Sequence, residues 1–166
     1  MADNNGKSFS YFLVKIGFWA LGKAAMHACR MDKKLRKELD NWPKGFTVML
    51  SVLPSGPTVA WRKEKDRFKY LGLNKNISAD LTVNIKSLKA AVRMITAQLG
   101  IAQAYAFRRI AIEGNTVDAM VLTRILDRVE AYLFPRFLSK NLLKKVPVFG
   151  LREYWNNLLI YLFLPL

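Results

Sequence analysis

The chain has 166 residues, 52% of them hydrophobic, so its length fits one domain with ample material for a core. Its 27 Lys and Arg residues against 12 Asp and Glu give a formal net charge of +15, which predicts a polyanionic partner: nucleic acid, an anionic membrane or an acidic protein. The single cysteine excludes an intrachain disulfide framework and a cysteine-rich metal site.

An N-terminal helix, continuous or bent once, is predicted over residues 8–39. One arc of about 120° holds Lys15, Lys23, His27, Arg30, Lys34 and Lys37, and the rest of the circumference is apolar and aromatic. Two interpretations remain open: a helix lying in a bilayer interface, or a helix buried against the domain with its lysines in solvent. Lys15 and Lys23 argue against a membrane span, because each costs roughly 2.5–3.5 kcal/mol on insertion scales.

Alternating hydrophobicity predicts strands at residues 46–52, 58–63 and 67–71, and a fourth containing Leu81, Val83 and Ile85. Ser87 is expected to cap a helix that Gly100 ends, and a short helix over residues 101–107 follows. Three strands in a meander followed by a strand that leads into a helix indicate an α+β layer.

Residues 107–133 predict a strand, a tight turn and an amphipathic helix. Ile110 and Ile112 alternate with polar or small neighbours, Gly114-Asn115 is a turn, and Thr116 is the expected N-cap. The apolar positions of this helix fall on one face, whereas Arg124, Asp127, Arg128 and Glu130 fall on the other, which we interpret as the solvated face.

Catalytic chemistry has no support in the sequence. A Ser-His-Asp triad would have to use the lone histidine, His27, and no nucleophile-elbow motif is present. No His, Cys and Asp cluster has metal-ligand spacing, and no glycine-rich nucleotide-binding motif occurs. We therefore expect no catalytic residues, no metal and no cofactor.

A basic hairpin offers an alternative function in nucleic-acid binding. Arg62, Lys63, Lys65, Arg67 and Lys69 are interleaved there with Trp61, Phe68 and Tyr70. In a strand, however, the alternating aromatic residues face away from the cations and toward the core. A membrane also explains both the charge and the apolarity of the terminal segments, whereas nucleic acid explains only the charge.

The order of elements resembles the sterol carrier protein type 2 domain over roughly residues 46–138. The strand at residues 79–85, Ala-Asp-Leu-Thr-Val-Asn-Ile, and the turn Ile112-Glu113-Gly114-Asn115 before the last core helix carry the resemblance. Arg108-Arg109 before this turn, and the Asp127, Val129, Glu130 and Pro135-Arg136 positions after it, are similar to the bacterial accessory factors of oxygen-independent ubiquinone biosynthesis. Asn115 replaces the more usual Asp.

The resemblance implies about five strands covered by helices around an apolar tunnel for a lipid, without catalysis. The ligand would be an isoprenoid, a quinone or its precursor, or an acyl lipid, and quinone-biosynthesis enzymes would be partners. Residues whose apolar faces would meet around one interior are the predicted lipid contacts: Val83, Ile85, Leu88, Val92, Met94, Ile95, Phe107, Ile112, Met120, Val121 and Ile125. A solid core and a basic adaptor role remain the alternative.

Three segments are expected: a basic amphipathic helical region (residues 1–42), the lipid-binding domain (43–138) and a C-terminal extension (139–166). A basic segment at 136–145 runs from the domain into this extension, which ends in an apolar tail at 151–166 that is too short to span a bilayer untilted. We expect a cytoplasmic protein associated peripherally with an anionic membrane. Its predicted membrane contacts are Lys15, Trp19, Lys23, Arg30, Arg152 and Trp155.

Overall fold

The computed structural model describes residues 3–133, apart from residues 66, 74, 75 and 97. Within these residues the chain forms five helices and five strands. In chain order they are α1 (Asp3–Met31), α2 (Lys33–Leu39), β1 (Thr47–Val52), β2 (Thr58–Glu64), β3 (Arg67–Gly72), β4 (Leu81–Ile85), α3 (Leu88–Ile95), α4 (Ile101–Ala106), β5 (Ile110–Glu113) and α5 (Thr116–Leu133). The predicted α+β class and five-stranded layer are confirmed.

The sheet has the strand order β3-β2-β1-β4-β5. The meander β1-β2-β3 is antiparallel, β4 runs parallel to β1, and β5 closes the sheet antiparallel to β4. The register places Leu50 beside Val83 and Val83 beside Ile112, so these apolar side chains share one face. That face lies against the helices and forms the core.

The N-terminal helical region bends once, at Asp32. The carboxylate of Asp32 accepts a hydrogen bond of 2.8 Å from the Lys34 amide and so caps α2. Helix α1 packs against β2, β3, α3 and α5, and buries Val14, Phe18 and Leu21 among its core residues. The half of α1 that follows Val14 therefore packs on the domain, as the second of the two interpretations expects.

Close packing between α1 and the sheet depends on Gly22. The backbone carbonyl of Gly22 accepts a hydrogen bond of 3.1 Å from the buried indole of Trp61. A Cβ at this position would lie 2.4 Å from the ring of Tyr70, a distance that real side chains do not tolerate. A residue without a side chain is thus required where the helix crosses β2 and β3.

Two helix boundaries differ from the sequence prediction. Helix α3 begins as expected, because the Ser87 hydroxyl accepts a hydrogen bond of 3.2 Å from the Ala90 amide. It ends at Ile95, however, and Gly100 is the N-cap of α4, so the prediction that Gly100 ends this helix is wrong. Leu99 consequently lies in the loop, although it remains buried.

The N-cap of α5 is Asn115, and the prediction of Thr116 is wrong by one residue. The Asn115 side-chain oxygen accepts a hydrogen bond of 2.9 Å from the Val117 amide. Gly114 precedes it with φ of +120°, and a Cβ there would lie 2.7 Å from the Asp80 carbonyl oxygen. The turn therefore needs glycine for its backbone conformation and for its close approach to the start of β4.

The basic hairpin is also only partly as predicted. Trp61 and Phe68 are fully buried and stack on one another, so the expectation that the aromatic residues face the core holds for both. Lys63 shares their side of β2 and is buried, with its ammonium group donating 2.5 Å hydrogen bonds to the carbonyls of Leu39 and Trp42. Lys63 thus binds backbone carbonyl groups at the last residue of α2 and in the turn that follows it, and is not part of a solvated basic surface.

No helix within the described residues is long and apolar enough to cross a membrane. The predicted basic segment at 136–145 and the apolar tail at 151–166 lie outside the described residues. The division into three segments remains a prediction.

Candidate ligand-binding site

An apolar cavity of about 270 Å³ lies between the helices and the inner face of the sheet. Its size is near the lower end of the roughly 300–1,000 Å³ that small-molecule sites span. Four helices and strands β1, β4 and β5 supply its walls, through Gly17, Phe18, Ala20, Leu21, Leu50, Val83, Ile85, Met94, Ile95, Ile101, Ile110, Ile112, Ala119, Leu122, Thr123, Leu126, Glu130 and Leu133. The interior of the described domain is thus partly hollow.

Five of the predicted lipid contacts line this cavity. Val83, Ile85 and Ile112 project from neighbouring strands of the sheet, and Met94 and Ile95 close the cavity from the end of α3. The structure brings these five side chains together around one space. Their contact with a lipid remains a prediction.

Six of the predicted contacts lie elsewhere. Two are exposed, Phe107 at 65% and Met120 at 60%; two are half-buried, Leu88 and Val92; and two are fully in the core, Val121 and Ile125. None of the six lines the cavity. Val121 and Ile125 do not reach the cavity because α5 buries two adjacent faces. They lie on the face that packs in the core, and the face with Leu122 and Leu126 borders the cavity.

Helix α1 contributes a wall that the sequence prediction missed. Gly17, Phe18, Ala20 and Leu21 all line the cavity. Gly17 and Ala20 could have indicated this wall, because small residues among bulky apolar ones favour close approach of another element. A Cβ at Gly17 would lie 2.9 Å from the Ile95 side chain, so α1 and α3 touch directly beside the cavity.

Glu130 is the charged residue that the cavity lining contains within the described chain. Its assignment to the solvated face of α5 is wrong, because positions 119, 122, 123, 126, 130 and 133 form one stripe at helical spacing and all of them line the cavity. Burial raises the pKa of Glu130 to about 8, and the charge of Asp127 adds to this shift. The carboxyl group is therefore mostly protonated at neutral pH.

The raised pKa of Glu130 predicts that stability falls as the pH rises. Between about pH 4.5 and 8 the folded state keeps a proton on Glu130 that the unfolded state has released, so alkali favours unfolding. Urea unfolding of wild type and Glu130→Gln should show wild type losing on the order of 2 kcal/mol relative to the variant between pH 6 and pH 9. A difference between the two proteins that stays constant over this range would show that Glu130 ionises with its ordinary pKa.

A second polar cluster fixes one end of α5. Asp32 accepts hydrogen bonds from the Arg128 guanidinium and, at 2.8 Å, from the Tyr132 hydroxyl, in addition to the Lys34 amide. Burial alone would raise the pKa of Asp32, but these hydrogen bonds outweigh it and hold that pKa below its ordinary value. This Asp32 cluster joins the α1–α2 bend to α5.

Two further titratable groups among the described residues have shifted pKa values. Burial and the charges of Arg30 and Lys23 lower the pKa of His27, and burial raises the pKa of Cys29 to about 12. Over the part of the chain that the structure describes, no group of three or more His, Cys, Asp or Glu side chains is placed to hold a metal ion.

The predicted membrane contacts are spread along α1 where the structure describes them. Lys15 and Arg30 are exposed, and Trp19 and Lys23 are half-buried. Arg152 and Trp155 lie outside the described residues. Apolar side chains near Lys15 are also exposed: Phe9 at 67%, Phe12 at 60% and Ile16 at 46%.

No family model and no curated protein matches the chain. Among solved structures, one titled UbiJ-SCP2 ubiquinone synthesis protein is 15% identical with a TM-score of 0.48, over 70% of this chain and 96% of its own. Apo sterol carrier protein 2 from Yarrowia lipolytica is 9% identical with a TM-score of 0.47, over 67% and 88% of the two chains. A sterol carrier protein domain of Helicoverpa armigera is 22% identical with a TM-score of 0.47, over 65% and 84%. Sterol carrier protein 2 domains are what this chain is similar to.

Proposed function

We propose that this chain is a non-catalytic lipid-binding protein that holds an isoprenoid or acyl ligand in the cavity and works at an anionic membrane surface. The observation that carries the proposal is the cavity itself. Close-packed interiors contain few voids larger than a water molecule, and an empty apolar space destabilises a fold. A cavity of about 270 Å³ with an almost entirely apolar lining is therefore explained by a ligand that fills it.

The first half of α1 supports the membrane part of the proposal. Phe9, Phe12 and Ile16 expose apolar surface beside the exposed Lys15, a combination that favours the interface of an anionic bilayer. The formal charge of +15 adds a long-range attraction to anionic lipid. Membrane contact at this patch would place the protein where apolar ligands are found.

The bound ligand is tested by native mass spectrometry and solvent extraction of protein purified without detergent. We expect a co-purifying species whose mass identifies a lipid, and its release on unfolding. Protein that carries no lipid and takes up none from vesicles would refute the lipid-binding proposal.

Membrane association is tested by flotation with vesicles that contain phosphatidylserine or only phosphatidylcholine. Wild type should float with the anionic vesicles alone, and less so as salt rises, because ions screen exposed charges. Phe9→Ser with Phe12→Ser should abolish flotation. The control, Tyr105→Ser with Val117→Ser, removes two exposed apolar side chains elsewhere and should float as wild type does. Equal flotation of both double variants would exclude α1 as the docking site.

The finer proposal is that the ligand is a quinone precursor presented to quinone-biosynthesis enzymes. It rests on the sequence resemblance at residues 108–116, 127–130 and 135–136. Affinity purification from the native host should recover hydroxylating or methylating enzymes, and deletion should lower the quinone content of cells grown without oxygen. Recovery of no such enzyme with unchanged quinone would leave generic lipid binding as the function.

Nucleic-acid binding remains the alternative, and the hairpin geometry disfavours it. Trp61 and Phe68 are buried, so they offer no surface on which bases could stack. Salt-sensitive binding of oligonucleotides that competes with anionic vesicles would nevertheless favour it.

A further inference from the structure

We propose that Glu130 is the residue that selects the ligand's polar end, and that the cavity takes a lipid whose head is an uncharged hydroxyl group. This inference rests on the proposed lipid-binding function and names the chemical class of its ligand. It gives a role to Glu130, because a cavity that only holds apolar chains would not need a carboxyl group in its wall.

The position of Glu130 carries the first step. Its neighbours on the same stripe of α5 are Leu126, one turn before it, and Leu133, nearly one turn after it, and all three line the cavity. A polar residue within an apolar stripe costs stability unless it has a hydrogen-bond partner. No hydrogen bond or ion pair of the Glu130 carboxyl group is found among the described residues, so the site has capacity for a partner from the ligand.

The second polar group of the lining is already engaged. The Thr123 hydroxyl donates a hydrogen bond of 2.8 Å to the Ala119 carbonyl oxygen, which keeps it within its own helix. It lies seven residues before Glu130, or about 10 Å along the helix axis. An extended ligand along α5 therefore meets the Glu130 carboxyl group near one end of the stripe. Along the rest of the stripe it meets an apolar wall.

The protonation state of Glu130 decides which head group fits. A carboxyl group that keeps its proton at neutral pH both donates and accepts hydrogen bonds, as a hydroxyl group does, so the two form a matched pair. A carboxylate head would bring a net charge into an apolar space, where the lining of the described chain offers no cation. An ammonium head would require Glu130 to be ionised against the cost of burial and the charge of Asp127.

The test compares three probes of equal chain length, dodecan-1-ol, dodecanoate and dodecylammonium, by native mass spectrometry and calorimetry at pH 7. Wild type should bind the alcohol at least tenfold more tightly than either ion. Glu130→Leu should weaken alcohol binding about tenfold, and Glu130→Gln, whose amide also donates and accepts, should weaken it less than threefold. Thermal unfolding of both variants reports whether either loses the fold.

The outcomes separate this inference from the function on which it rests. Tight binding of all three probes, or preference for an ion, overturns the role of Glu130 and leaves a lipid-binding cavity. Equal alcohol affinity in wild type and Glu130→Leu overturns it as well. Binding of no probe overturns the inference, and the lipid-binding proposal is refuted with it if the purified protein also carries no lipid and takes up none from vesicles.

Discussion

Replacement of Asp32 by alanine should lower the free energy of unfolding by about 3 kcal/mol, measured by urea denaturation at pH 7. The variant loses the cap of α2, which contributes about 1 kcal/mol. It also leaves the Arg128 guanidinium and the Tyr132 hydroxyl without the carboxylate that accepts their hydrogen bonds. Tyr132 is almost fully buried, so water replaces the lost acceptor poorly.

A matched control exists between the same two helices. Glu38 on α2 pairs with Arg124 on α5 at 2.9 Å, but both side chains are substantially exposed, so Glu38→Ala should cost less than about 1 kcal/mol. Equal losses in the two variants would mean that the Asp32 cluster contributes no more than a surface ion pair.

The Asp32 cluster also has a pH signature with a defined sign. Because the folded state holds the pKa of Asp32 below its ordinary value, the carboxylate contributes stability at neutral pH. That contribution begins to fall as the pH drops to about 4, the ordinary pKa, and is lost as it passes through the lowered one. The stability difference between wild type and Asp32→Ala should therefore shrink in acid.

Replacement of Ala119 by phenylalanine should weaken binding of dodecan-1-ol at least tenfold without unfolding the protein. Ala119 lies on the cavity wall, and a ring at this position would occupy space that the ligand needs. The melting temperature should stay constant or rise, because the added apolar surface fills an existing void. Calorimetry and thermal unfolding measure the two effects independently.

The control for this variant is Met120→Phe, which adds a ring on the neighbouring exposed position of the same helix. It should bind dodecan-1-ol as wild type does. Undiminished binding by Ala119→Phe would place the ligand outside this cavity, whatever the affinity of the protein for lipids.

The sequence predicted the strands of the site better than its helices. In β4 and β5 the two-residue alternation assigns Val83, Ile85 and Ile112 to one face. The alternation alone therefore predicts which strand residues line the cavity. In α5 the apolar positions cover a broad arc, and helical spacing alone does not tell a face against solid core from a face against empty space. The predicted contacts Val121 and Ile125 lie on the face against solid core, each one position before the cavity-lining residues Leu122 and Leu126.

Other features depended on tertiary contacts that a single sequence does not contain. The side chains of Lys63 and Glu130 both resemble solvated charges in sequence, but Lys63 is buried against the end of α2 and Glu130 is half-buried at the cavity wall. The cavity exists because α1, α3 and α5 pack against the sheet without filling the space between them. No local pattern encodes the space that remains between them.

The rate at which Cys29 reacts with a thiol reagent should report how often α1 separates from the core. The thiol is fully buried within the packed face of α1, and burial, with a smaller effect of the Asp32 charge, raises its pKa to about 12. A thiol reagent at neutral pH can therefore reach and modify only molecules in which α1 has separated from the core. Because this is the single cysteine of the chain, the rate of modification measures that separation without any introduced label. Slower modification in the presence of a lipid would reveal an occupied cavity, even for a ligand whose identity is unknown.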